Sequence, residues 1–259
     1  IMGTPPPSAI QLFDAKGNPV DTGFYIYNNV YAGYTHWAQP QSQAEIPQPL
    51  EGWAKSEFES IPPLMLAGTG SDVGKSILAT ALCRIFRQDG YHPAPFKAQN
   101  MALNSAATAD GYEIGRAQMV QAEAAGVIAT TDMNPLLLKP NSEHTTQVVL
   151  NGKPIGNRNA YDYFRKEGRE ELRREVNNAF DRLAAQYNPI VMEGAGSICE
   201  LNLMDTDLVN MPMARHADAR VILVCDIDRG GVFAQAYGSI MLQKPEDRKR
   251  IVGIIVNKF

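Results

Sequence analysis

Cysteine, positive charge and long apolar runs are all scarce in this sequence, and each shortage removes a class of function. Only three cysteines (Cys83, Cys199 and Cys225) occur in 259 residues. None has the CxxC spacing or the neighbouring histidine of a metal site. Cys83 falls in a helical pattern and Cys225 ends an apolar strand, so both read as small core residues in a reducing compartment. Lys and Arg number 24 against 28 Asp and Glu, and a net charge of −4 offers no basic footprint for nucleic acid. No apolar run approaches the roughly 20 residues that span a bilayer. No basic segment followed by an apolar stretch opens the chain, so the expectation is a cytoplasmic protein rather than a secreted or membrane one. What remains is ordinary: 44% hydrophobic and 20% charged residues, enough for one large α/β domain with an appendage.

The stretch LMLAGTGSDVGKSILATAL, residues 64–82, carries the first positive signal. An apolar strand pattern enters a glycine loop, and the loop passes directly into an apolar helical pattern. That order is the context of a phosphate-binding P-loop. Backbone N–H groups of Thr69, Gly70, Ser71, Asp72, Val73 and Gly74 and the helix N-terminus would face an anion. Lys75 would reach the terminal phosphates and the Ser76 hydroxyl would help hold Mg²⁺. The strict GxxxxGK[ST] spacing asks for glycine at position 69, which is Thr69; glycines stand at 68 and 70 instead. The bland alternative is a glycine-rich turn with a solvated lysine.

Residues 1–38 differ in character from the rest of the chain: a proline run, then a Tyr-rich segment whose aromatic and β-branched content predicts a small β-rich extension. Residues 39–60, rich in Pro and Gln, read as a linker. From 61 to 259 strands alternate with helices. Strands are predicted over 64–67, 93–97, 134–140, 146–151, 189–192, 219–224 and 251–256, and helices over 75–88, 113–125 and 160–187. The polar face of the last helix reads as solvated. Glu193 closes the 189–192 strand beside small residues and is a candidate Mg²⁺ ligand, although a carboxylate there could simply cap a turn. Asp226, Asp228 and Arg229 follow another strand, and Asn257, after the last, could meet a purine edge or form a turn. GTGSDVGKS, FKAQN, MEGAGS, CDIDRGG and VNK thus all lie at carboxyl ends of strands. A mostly parallel sheet flanked by helices, with one crevice along its edge, is the expected fold class.

GTGSDVGKS (68–76), PFKAQNMALNSAATADGYEIGRAQ (95–118), DMNPLLLKP (132–140), VMEGAGS (191–197) and CDIDRGGVFA (225–234), in this order, resemble the ATP-binding domain of the cobyric acid synthase family. Dethiobiotin synthetase looks similar to that domain, and its modified loop accounts for Thr69. The resemblance implies ATP- and Mg²⁺-dependent amidation of corrinoid carboxylates, from adenosylcobyrinic acid a,c-diamide to adenosylcobyric acid, through an acyl phosphate. It implies Lys75, Lys97, Asp110, Glu113 and Glu193 as catalytic residues, with Asp110 a further metal candidate beside Ser76 and Glu193. Gln99, Asn100, Arg116, Asp226, Asp228 and Arg229 are implied on the corrinoid side, and Asn257 on adenine. The family's glutaminase domain is expected beyond residue 259, so ammonia would come from a domain or subunit outside this chain. The dethiobiotin synthetase likeness leaves a homodimer open. GFYIYNNVYAGYTHW (23–37) resembles the end of a cobyrinic acid a,c-diamide synthase glutaminase domain, with an unrelated β-rich extension as the alternative. Two other functions also stay open. One is a switch ATPase of the partition type, which would need its signature Lys where Gly70 stands; the other is a binding fragment without turnover.

Overall fold

The computed structural model describes residues 12–13, 19–20, 61–140, 145–159, 166–204 and 207–258. The chain divides into two units, residues 1–59 and 60–258. In the first, β1 (Leu12–Phe13) and β2 (Pro19–Val20) pair antiparallel, Leu12 opposite Val20. The Tyr-rich segment and the linker lie outside the described residues.

The second unit is built on a five-stranded, wholly parallel sheet. Its members are β3 (Leu64–Gly68), β4 (Ala94–Phe96), β11 (Ile190–Glu193), β12 (Arg220–Asp226) and β13 (Ile251–Asn257), in the spatial order β13-β12-β3-β11-β4. The strands are apolar runs because both sheet faces are covered. Leu66, Val191 and Val224 face one way, onto α1 (Lys75–Gln88) and α2 (Arg116–Ala125). Met65, Ala67, Met192, Val221 and Leu223 face the other way. There they share a core with Leu172, Val176 and Phe180 of α3 (Lys166–Ala184), Met213 of α4 (Met211–His216) and Ala236 of α5 (Val232–Met241). The period-two alternation of side chains along each strand is what feeds both layers. α6 (Pro245–Arg248) leads into the last strand.

Several expectations change. Residues 134–140 and 146–151 are strands, β8 (Leu136–Pro140) and β9 (Thr145–Leu150), but they belong to a second, mixed sheet ordered β10-β9-β8-β5. β9 turns through Asn151 and Gly152, both at positive φ (47° and 76°), into β10 (Lys153–Asn159). That geometry suits a two-residue hairpin of asparagine and glycine. The chain leaves the parallel sheet after Phe96, and β5 (Gln99–Met101) pairs in parallel with β8. Glu113 does not begin a helix: Glu113–Gly115 is β7, paired with β6 (Ser105–Ala107), because fully buried Ile114 anchors an extended segment. Among the described residues the charged helix covers Lys166–Ala184 and stops at Ala184 rather than at the 187 its polar pattern suggested; residues 160–165 lie outside the described residues.

Candidate functional site

All five chemically loaded segments follow strands of the parallel sheet, so the strand order sets their order along its edge. The P-loop follows the central strand. MEGAGS and then FKAQN lie to one side; CDIDRGG and then VNK lie to the other.

The loop bends as its glycines permit. Gly74, immediately before α1, has φ 101°, a conformation costly for any residue with a Cβ. A Cβ there would also strike the Asn257 side-chain amide. Asn257 Nδ2 instead donates to the Val73 carbonyl at 2.9 Å, pinning the loop to the end of β13. The Lys75 ammonium donates to the carbonyls of Gly70 (2.8 Å) and Gly196 (3.0 Å), folded back over its own loop. Gly68 leaves the space this requires, since its Cβ would lie 2.6 Å from Lys75 Nζ. Burial pulls the Lys75 pKa down to about 8; the neighbouring Lys97 charge adds to the fall, and the Glu193 and Asp72 carboxylates oppose it.

Glu193 ends β11 with its side chain buried. Its Oε1 accepts from Ser76 Oγ at 2.7 Å and from Lys97 Nζ at 2.6 Å, and its Oε2 accepts from Gln121 Nε2 at 2.7 Å. A buried carboxylate needs both a countercharge and hydrogen-bond donors, and here it has both. The Lys97 backbone is fixed by Met133, whose carbonyl accepts its N–H, and by Asn134, whose Nδ2 donates to its carbonyl at 3.1 Å.

A cavity of about 750 Å³ opens over these groups. Ser71, Asp72, Gly74, Lys75, Ser76, Lys97, Gln99, Asn100 and Glu193 line it, so three of the five segments meet there. The remaining loop residues support rather than line it: Thr69 bridges Ser197 through the backbone, and Val73 is buried beneath. Asp110, Glu113, Arg116, Asp226, Asp228, Arg229 and Asn257 are not among the lining residues. Asp110 is exposed and accepts from Thr108 Oγ1 at 2.6 Å. Glu113 is paired with Lys139 at 2.6 Å; burial would raise its pKa, but hydrogen bonds from Lys139 and Ser105 outweigh that and hold it low. Asp226 is buried and accepts from Lys258 at 2.7 Å and from the Asp228 N–H at 3.0 Å, with Arg229 at 3.3 Å. The Lys258 hydrogen bond, above all, keeps its carboxyl below the usual range.

Sequence reasoning missed four polar residues that build the cavity's frame. Gln121 and Asn134 hold Glu193 and Lys97 through the hydrogen bonds given above. Asn210 clamps the backbone after β11, accepting from the Ala195 N–H and donating to the Ala195 carbonyl. Arg169, which the sequence puts on a solvated helix, is buried and lines the cavity. A detectable signal existed for Gln121: it shares with Ala122 and Ala125 the buried face of α2, where a polar side chain must have a partner.

Residues 64–259 match the family described as the CobQ/CobB/MinD/ParA nucleotide binding domain. Among curated proteins, the chain is 79% identical over 201 residues to "Cobyric acid synthase" from Phocaeicola vulgatus, covering 78% of this chain and 40% of that protein. The protein of the same name from Bacteroides fragilis is 77% identical over 201 residues, covering 78% and 41%. That from Parabacteroides distasonis is 61% identical over 198 residues, covering 76% and 40%. The chain thus spans about 40% of the length of the curated relatives it matches. Among solved structures, the signal recognition particle receptor FtsY from Elizabethkingia anophelis aligns with a TM-score of 0.43 and 17% identity, over 76% of this chain and 51% of that one.

Proposed function

The chain belongs to the CobQ/CobB/MinD/ParA nucleotide-binding domain family, and from that membership together with its similarity to curated cobyric acid synthases we propose that it uses ATP to activate side-chain carboxylates of a corrinoid for amidation. The substrate would be adenosylcobyrinic acid a,c-diamide and the product adenosylcobyric acid, in cobalamin biosynthesis. The observation that carries the reading is the convergence of Lys75, Ser76, Lys97 and Glu193 on one cavity of about 750 Å³, with Ser76 and Lys97 both donating to the Glu193 carboxylate.

A carboxylate is a poor acyl electrophile because its leaving group would be an oxide. In the proposed reaction a substrate carboxylate oxygen attacks the γ-phosphorus of ATP, and the bond to ADP breaks. Ammonia then attacks the acyl carbon, and phosphate leaves with the electrons of the C–O bond. This chain's part is positioning and charge neutralisation. Loop N–H groups and the α1 N-terminus bind the phosphates, and Lys75 exchanges the Gly70 and Gly196 carbonyls for phosphate oxygens. Lys97 meets the negative charge gathering between substrate carboxylate and phosphoryl group. Gln99 and Asn100 border the place a substrate arm would occupy. Ser76 Oγ and Glu193 Oε1, hard oxygen donors 2.7 Å apart, suit a Mg²⁺ ion carried with the nucleotide. When bound, that ion supplies neutralisation of phosphate charge. Asp226, Asp228 and Arg229 keep the corrinoid-side role the family resemblance implies and Asn257 the adenine role, from the strand ends on the other flank of the phosphate loop.

Calorimetry of the chain with ATP and Mg²⁺ tests the nucleotide site. Lys75→Ala should weaken binding and turnover on the order of a hundredfold. Tight binding indifferent to Lys75 overturns the assignment. Mass spectrometry of the corrinoid incubated with ATP, Mg²⁺ and ammonium should show amide formation; corrinoid binding without any amide would leave a binding module.

A further inference from the structure

Gln121 plays no part in the proposed reaction, yet among the described residues it is the most buried of the side chains that hydrogen-bond to the Glu193 carboxylate. It is 1% exposed, in the middle of α2. Its Nε2 donates to Glu193 Oε2 at 2.7 Å and reaches the Ser76 carbonyl at 3.4 Å, so one amide group ties the carboxylate to the end of the phosphate loop. We infer that Gln121 is a positioning residue: it holds Oε2 of Glu193 so that Oε1 faces Ser76 and Lys97. The inference rests on Glu193 being the carboxylate that works with the nucleotide.

The direction of these hydrogen bonds is forced rather than chosen. A carboxylate only accepts, so Gln121 must present its NH₂ to Glu193 and its carbonyl oxygen away from it. That oxygen lies 3.4 Å from Gln118 Nε2, and Gln118 Oε1 in turn accepts from Asn100 Nδ2 at 3.0 Å. Three amides therefore align head to tail, each donating toward the carboxylate, and aligned dipoles of this kind reinforce one another in a low-dielectric interior. Gln118 is 0% exposed, and Asn100 is buried but borders the cavity. The row thus fixes the rotation of Glu193 and begins at the wall of the substrate end. Without Gln121, Oε2 would be a buried acceptor with no donor, and the carboxylate would turn to recover one, leaving Ser76 or Lys97.

Two measurements on the chain decide this. Calorimetry compares ATP binding with Mg²⁺ and with EDTA for the wild type, for Gln121→Met, which keeps the volume and removes the donor, and for Gln121→Glu, which turns donor into acceptor. Partners that orient a metal-associated group typically contribute about 10- to 100-fold to its affinity, so both variants should lose about tenfold or more with Mg²⁺ and less than about twofold in EDTA. Equal losses in the two conditions, or none in either, overturn the inference, because a purely structural role lowers both alike. The second measurement needs no nucleotide. The Gln121 side-chain NH₂ resonances, assigned by their disappearance in Gln121→Met, should exchange slowly with solvent and shift in Glu193→Gln. Fast exchange, or indifference to Glu193→Gln, overturns the inference by itself. A wild type that binds ATP in neither condition would sink the proposed function, while the resonances would still decide the placement of Gln121.

Discussion

Lys75 carries two opposite pH dependences. Its proposed role in phosphate binding requires the charged form, and burial has brought its pKa from 10.5 down to about 8. Affinity for ATP, measured in EDTA to leave metal out, should therefore hold level up to about pH 8 and then weaken, approaching tenfold per pH unit. Stability moves the other way. Between about 8 and 10.5 the unfolded chain holds a proton that the folded chain has lost, so the cost of burying the charge is fully present below 8 and lifts as pH rises to 10.5. The cysteines give a second test at this scale. Burial pushes the Cys83 thiol up to about 12 and the Cys225 thiol up to about 11. Cys199 is only half-buried, with Ser197 Oγ at 3.1 Å. A thiol reagent at pH 8 should label Cys199 in the native chain and reach Cys83 and Cys225 only on unfolding, as counted by mass.

The join between β13 and the phosphate loop is a matter of whole elements, since residues 73 and 257 meet only through the sheet. Gly74→Ala would place a side chain at φ 101° and displace the Asn257 amide from the Val73 carbonyl. Left-handed backbone alone costs a residue with a Cβ about 1–2 kcal/mol, so this variant should melt lower and bind ATP more weakly. Asn257→Ala tests the join from the other side. Losing the donor to a part-buried carbonyl should cost about 1–3 kcal/mol by chemical denaturation. Strong loss of ATP binding with unchanged stability would instead indicate that Asn257 acts mainly on the nucleotide. The five strands of the parallel sheet, β8, β9, α1 and most of α2 and α3 were legible from periodicity, because amphipathic spacing is a local property; β5, β6, β10, α4, α5 and α6 were not anticipated. Nor was β7: Glu113, Ile114 and Gly115 continue a helical pattern, and only the buried seat of Ile114 and the pairing with β6 keep them extended.

At the scale of the molecule, the proposed reaction is tested through its nitrogen source. Cys83 and Cys225 are buried, and the side-chain hydrogen-bond partners of half-buried Cys199 are the hydroxyls of Ser197 and Ser239 rather than a general base, so among the described residues no thiol has the activating pair a glutaminase nucleophile needs. With ATP, Mg²⁺ and corrinoid, ammonium should support amidation by this chain and glutamine alone should not. Product from glutamine alone would contradict the expectation that ammonia is supplied from outside this chain. Among the described residues no helix is long and apolar enough to cross a membrane.

The sequence by itself determined the strand–loop–helix at residues 64–82 and the placing of each chemical segment after a strand. Both are written in local patterns: a glycine loop with Lys75 and Ser76 constrains its own backbone, and the short apolar run 190–192 ahead of Glu193 marks a buried strand in the sequence itself. Tertiary structure decided which segments share a cavity. The order β13-β12-β3-β11-β4 brings Glu193 and Lys97 beside the phosphate loop and leaves Asp226 and Asn257 on its other flank. It also decided that Gln121, an ordinary polar residue in a helix, faces the Glu193 carboxylate. Strand order and helix docking depend on pairings between residues far apart in the chain, so no local pattern encodes them.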